Sequence, residues 1–208
     1  MDSYRYWNQI IYNWSSPMLT SLLDGTRRSL LLRQAALILA GVALLTLSAK
    51  VQIPFWPVPM TLQTAAVMAI ALAVPPRMAL AVFGAYLAAG ALGLPVFAGT
   101  PERGIGLAYM TGPTGGYLAG YWLAGGLVSA LARSAPLAPL GVWGRTIAML
   151  AGLAAVYALG LLWLTAFVPA RALLAQGFLP FILGDLLKIA LVAAASAALP
   201  GRRAGDAQ

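Results

Sequence analysis

Cysteine and histidine are both absent from the 208 residues. The chain therefore has no thiol or imidazole for nucleophilic catalysis, disulfides, haem ligation or histidine-based metal sites. Carboxylates are nearly absent too, limited to Asp2, Asp24, Glu102, Asp185 and Asp206. Three of these lie in terminal segments, too few remaining for a metal cluster, so no metal, cofactor or catalytic residue is expected. No G-x-x-x-x-G-K-[ST] occurs, which excludes nucleotide hydrolysis through a P-loop. Gly104-Ile105-Gly106 lacks the third glycine of a dinucleotide fingerprint. Charge of either sign is scarce: 9% of residues are charged and 61% are hydrophobic. A water-soluble domain needs about 25% charged residues to cover its surface. This composition implies an integral membrane protein whose solvent is the lipid bilayer.

Long hydrophobic runs make up most of what is present. A hydrocarbon core about 30 Å thick takes roughly 20 apolar residues as helix. Residues 29–49, 60–74, 78–92, 117–131, 143–167 and 179–199 each read as a span. The expected fold is all-α, a compact bundle of six transmembrane helices over residues 29–200. Residues 1–28 precede it and residues 201–208 form a tail. Between spans lie a proline-rich loop, 50–59, and a Gly/Pro-rich segment, 93–116, neither able to continue a regular helix.

Basic residues set the orientation. Arg5, Arg27, Arg28, Arg33, Arg77, Arg133, Arg145, Arg202 and Arg203 fall on one side, against Lys50, Arg103 and Arg171 on the other. By the positive-inside rule both termini are cytoplasmic, and the two irregular loops face outward together. The net charge of +8 is thus explained by orientation, and no nucleic-acid partner is expected, since the basic residues stand singly between apolar runs. Residues 1–28 lack the apolar core of a secretory signal. Tyr4, Trp7, Ile10, Ile11 and Trp14 at helical spacing suit a helix lying in the cytoplasmic interface, and a flexible tail suits the segment equally.

Within the last span, Ile182 to Val192 reads ILGDLLKIALV, and it holds Asp185 and Lys188. Each charge near a helix centre costs about 2.5–3.5 kcal/mol on insertion scales. Their i,i+3 spacing puts both on one face, close enough to pair or to share a ligand. A purely structural ion pair is a poor explanation, because apolar replacement of such pairs is often neutral or stabilising. Asp185 lies about 9 Å along the helix from Leu179, within reach of the outer side. Other polar groups cluster at the same side. Arg103 is a solvated loop charge beside Glu102 by default, yet its guanidinium suits a carboxylate. Gln63, beside Thr61, either meets a ligand or satisfies loop backbone. Tyr86, Tyr109, Tyr117, Phe55 and Trp56 serve singly as interfacial anchors, and together they would wall a small-molecule pocket. Gly112-Pro113-Thr114-Gly115-Gly116-Tyr117 lets the backbone turn and approach another surface. Ala36, Ala40 and Gly41 give the first span a small-residue face for close helix approach.

Four stretches carry a resemblance: PVPMTLQT (57–64), YLAAGALGLPVFAG (86–99), GPTGGYLAG (112–120) and GDLLK (184–188). In this order they resemble the BioY family, substrate-binding S components of energy-coupling factor (ECF) biotin transporters. The resemblance implies a multi-pass protein of the prokaryotic plasma (inner) membrane that binds biotin from the outer side. It implies as partners a transmembrane coupling protein and a pair of cytoplasmic ATPases, with Ala36 and Ala40 docking the coupling protein. It further implies toppling in the membrane to release substrate inward. The candidate binding set is Asp185, Lys188, Arg103, Gln63, Tyr86 and Tyr117. Asp185 is expected at the ureido ring, and Lys188 with Arg103 at the carboxylate. Biotin's ends lie about 10 Å apart while i,i+3 Cβ atoms are about 5–6 Å apart, so Lys188 must extend away from Asp185 or leave the carboxylate to Arg103. Two other classes stay open: a secondary transporter with Asp185 as proton relay, and an intramembrane enzyme, which Asp185 and Lys188 would have to supply almost alone.

Overall fold

The computed structural model describes the backbone of residues 3–53 and 60–198, and the side chains of residues 27–52 and 60–198. The chain divides into two units, Met1–Leu39 and Ala40–Gln208. The first is helical from Ser3 onward, as part of helix α1 (Ser3–Lys50). The aromatic residues read as interfacial anchors, Tyr4 to Trp14, lie outside the described side chains. Leu30, Leu31 and Leu32 are each more than half exposed, which suits apolar side chains that face lipid.

The second unit begins with the last turns of α1 and then a short antiparallel pair, β1 (Gln52–Ile53) and β2 (Met60–Thr61), in register Gln52 to Thr61. The loop read from its prolines is thus anchored by strands at its base, and Phe55 and Trp56 lie outside the described residues. Helices α2 (Gln63–Ala73) and α3 (Pro76–Ala91) follow. Their junction is set by two prolines. Val74 precedes Pro75 and is extended, as steric clash with the proline ring demands. Pro76 opens α3, where its missing N–H costs nothing. The segment before the next long helix holds the short α4 (Gly106–Met110). Then come α5 (Gly115–Leu131), a 3-10 turn (Ala138–Leu140), α6 (Val142–Leu164), α7 (Ala170–Gly177) and α8 (Leu179–Ala197).

Each of the six expected spans meets a helix, but the lengths differ. Among the described residues, three stretches are long and apolar enough to cross a membrane: Arg27–Lys50, Val142–Leu164 and Ala170–Ala197. Helix α2, with 11 residues, rises only about 16 Å at 1.5 Å per residue. Hydropathy alone does not see that the β2 pairing removes residues 60–61 from one end and Pro75 closes the other.

Helix α5 is central. It packs most extensively against α6 and also against α2 and α3, while α8 packs on α2 and α6. Close approach of α5 and α6 depends on glycine: a Cβ on Gly120 would stand 2.8 Å from the Cα of Val156. Below this crossing, Met68, Val128, Met149, Leu153, Tyr157 and Ile189 form a core drawn from four helices. Gly41, the last small residue of the first-span motif, lies against Val82 of α3. Ala36, in the first unit, and Ala40, in the second, are both exposed.

Two arginines read only as orientation signals also close helix ends. Arg133 donates to the carbonyls of Ala71 and Leu72 at 3.3 and 2.8 Å, completing the C-terminus of α2. Arg145 donates to the carbonyl of Ser196 near the end of α8. Replacing Gly120 by Val should overpack the α5–α6 crossing and destabilise the protein by about 1–3 kcal/mol. Thermal unfolding in detergent measures this, with the exposed Ala119→Val as the control that leaves the midpoint unchanged.

Candidate functional site

A cavity of about 460 Å³ opens between the strand pair, α2, the loop before α4, and helices α4 to α8. It falls in the size range of small-molecule sites. Its polar floor is on α8. Asp185 and Lys188 line the cavity and are both 6% exposed. Lys188 Nζ meets Asp185 Oδ1 at 2.9 Å as both hydrogen bond and ion pair. The second carboxylate oxygen accepts from the Tyr157 hydroxyl at 2.7 Å. Gly184 lets Met60 of β2 lie directly on α8 one residue before the pair.

The observed pairing bears on the geometric difficulty posed by the sequence. Lys188 does not extend away from Asp185; it folds back onto it. The other cationic group of the cavity is Arg103. It is exposed, and its guanidinium has no hydrogen-bond or ionic partner among the described residues. Its place is built by the loop. Gly99 adopts φ +71°, and a Cβ there would stand 2.9 Å from Cδ of Arg103, so only glycine lets that side chain cross it. The loop backbone is held at alternate carbonyls: Tyr86 donates to Val96 at 3.0 Å and Tyr109 to Ala98 at 2.7 Å. Lys50 donates to the carbonyl of Thr100, and to its Oγ1 at 2.9 Å.

Gln63 lines the cavity from the start of α2. Tyr117 does so from α5, and its hydroxyl donates to the carbonyl of Gly177 at 2.8 Å, tying α5 to the end of α7. Tyr86 does not reach the cavity. It stands behind Gln63, whose Nε2 donates to its hydroxyl at 2.9 Å. Thus five of the six candidate binding residues share one cavity and the sixth supports one of them.

The sequence reading missed Tyr157, Tyr121 and Thr64, all of them on the wall. Each had a signal. Tyr157 is a hydroxyl in the middle of an apolar span, as anomalous there as Asp185. Tyr121 follows Tyr117 by one turn and so shares its face. Thr64 adjoins Gln63.

A helical membrane domain with an enclosed ion pair facing a largely apolar cavity is the architecture of a protein that holds a small molecule with polar ends. Comparison with known proteins agrees. The family model for BioY matches residues 18–204. A biotin transporter BioY of Thermotoga maritima is 38% identical over 160 residues, covering 76% of this chain and 90% of the relative. A probable biotin transporter BioY of Pyrococcus horikoshii is 34% identical over 158 residues, with the same coverage of 76% and 90%. The fold is that of a crystal structure of the S-component for biotin from an ECF-type ABC transporter, with TM-score 0.69 and 24% identity over 81% of this chain and 91% of that one. The chain belongs to the BioY family.

The Tyr157→Phe substitution should remove one donor from a buried carboxylate. A bond to a charged group in water-soluble proteins is worth about 1.5–3 kcal/mol, and interhelical bonds in membranes average nearer 0.6, so a loss of about 1–2 kcal/mol is expected. Unfolding in detergent of the single variant reads this; an unchanged midpoint would mean the bond contributes nothing to the fold.

Proposed function

We propose that this protein is the biotin-capturing membrane subunit of an importer. Its relatives are named biotin transporters, and the observation that carries the reading is the Asp185–Lys188 pair lining the cavity. Biotin has a cyclic urea with two N–H donors and a carbonyl, an apolar thiophane, and a carboxylate on a four-carbon stem. Asp185 accepts from the urea, and Lys188, held at the same end by its ion pair, donates to the urea carbonyl. The carboxylate then falls to Arg103 alone, which assigns Lys188 differently from the sequence-based expectation. The rings and stem lie along the apolar wall between these ends, where Tyr117 and Phe181 supply aromatic surface.

The remaining parts follow from the family and the charge pattern. Six helices traverse the prokaryotic plasma membrane, with α2 short, both termini cytoplasmic and the cavity facing outward. Energy comes from a transmembrane coupling protein and a cytoplasmic ATPase pair, docked through Ala36 and Ala40 on α1. Lack of a P-loop in this chain accords with that division of labour.

Equilibrium binding of biotin to the purified protein tests the site. Asp185→Asn and Arg103→Ala should each weaken binding about tenfold or more, the loss of one charge-assisted contact. Lys188→Ala should weaken it and also destabilise the fold by about 3–5 kcal/mol, since it strands a buried carboxylate. Unchanged affinity in both α8 variants would reject the site. Uptake into liposomes tests the coupling: it should require the coupling protein, the ATPases and ATP, and a pH gradient should not drive it in their absence.

A further inference from the structure

The contact between Gln63 and Tyr86 belongs to a hydrogen-bond chain whose polarity can be read from one end. The carbonyl of Val96 is a pure acceptor, so the Tyr86 hydroxyl donates its single proton to it, at 3.0 Å. The Tyr86 oxygen can then only accept from Gln63, at 2.9 Å, and the group facing it has to be the amide NH2. Amide orientation is normally an assignment, but here the backbone carbonyl dictates it. The Gln63 carbonyl oxygen is therefore turned away from Tyr86. It accepts no hydrogen bond from the described residues, yet no buried side-chain oxygen or nitrogen among them lacks a partner. That oxygen is thus open to space. Gln63 is only 4% exposed and lines the cavity, so the space it opens onto is the cavity.

The geometry points to Gln63 as a specificity residue that reads an N–H donor on the ligand, with Tyr86 as the positioning residue that keeps its carbonyl oxygen facing inward. This rests on the biotin reading above. The two N–H groups of the cyclic urea then have two acceptors, Asp185 for one and Gln63 for the other. A ring with an acceptor or a methyl group in place of the second N–H leaves the Gln63 oxygen unpaired in a closed site, which is where polar recognition discriminates most strongly. Tyr86 is suited to this task. It is 1% exposed, and its ring packs edge-on against Phe97 at 5.3 Å, so it cannot swing away from Gln63.

The test is equilibrium binding to the purified full-length chain in nanodiscs. The ligands are biotin and biotin methylated at one or the other ureido nitrogen. The proteins are the wild type, Tyr86→Phe, Gln63→Leu and the double variant. Tyr86→Phe keeps the ring and should weaken biotin about tenfold by releasing the amide. Gln63→Leu should weaken it at least as much, and adding Tyr86→Phe to Gln63→Leu should change it less than about twofold. Methylation at the nitrogen read by Gln63 should weaken binding to the wild type and abolish the response to either substitution. An equal loss on Tyr86→Phe in both backgrounds would show that Tyr86 only packs, and overturns the assignment. So does wild-type affinity in either single variant. Should Tyr86→Phe not fold, Gln63→Leu with the two methylated ligands decides in the same way. A wild-type protein that does not bind biotin overturns the proposed function and this assignment together, whereas loss of the pattern with wild-type binding intact overturns this assignment alone.

Discussion

An ammonium and a carboxylate held 2.9 Å apart inside a helix bundle that lives in lipid set the terms for the rest of this structure. Unpaired, the two charges would cost about 5–7 kcal/mol on insertion scales. Pairing recovers part of this, and the Tyr157 hydroxyl satisfies the second carboxylate oxygen. Three side chains on α6 and α8 thereby share one polar cluster, and these helices must stay in register for it to survive. The cluster is stable without being the most stable solution, because apolar residues of the same size would fill the site at no desolvation cost. Its presence at a cavity wall is the observation on which the proposed ligand site rests.

The scaffold gives this floor a roof. Glycines at the α5–α6 crossing bring the backbones close, and Val156 at that crossing also lines the cavity. Above it, the loop that carries Arg103 is irregular but not loose. Its carbonyls at Val96, Ala98 and Thr100 are each held by a side chain from a different element, respectively α3, α4 and α1. Backbone carbonyls that would otherwise need water are satisfied internally. An arginine whose guanidinium has no partner among the described residues is thus presented by a fixed frame, in the same cavity as a lysine that is already paired.

Much of this was legible from residues alone. Composition pointed to the solvent, each apolar run read from hydropathy falls on a helix, and two charges in an apolar run marked the floor of the cavity. The parts that escaped are those that depend on length and on pairing. Pro75 and the strand pairing of Met60 and Thr61 shorten α2, which hydropathy averages over. The i,i+3 spacing of Asp185 and Lys188 allowed both a direct pair and a shared ligand, because the lysine stem is long enough to fold back or to extend. Tyr86 was read as wall because its tip is polar; its hydroxyl instead lies between Gln63 and the Val96 carbonyl, a partner no sequence pattern announces. Arg133 and Arg145 were counted for the sign of their charge, while their guanidinium groups also cap helix carbonyls.

The central claim is that the buried pair is kept for a ligand and not for the fold. Replacing both charges at once, Asp185→Leu with Lys188→Met, separates the two, since it removes the ion pair without stranding either partner. Biotin binding and thermal unfolding measured on the same preparation give the answer. The account predicts a protein that no longer binds biotin and whose stability falls by no more than about 1–2 kcal/mol, the worth of the lost Tyr157 bond. A double variant that binds biotin with wild-type affinity would contradict it.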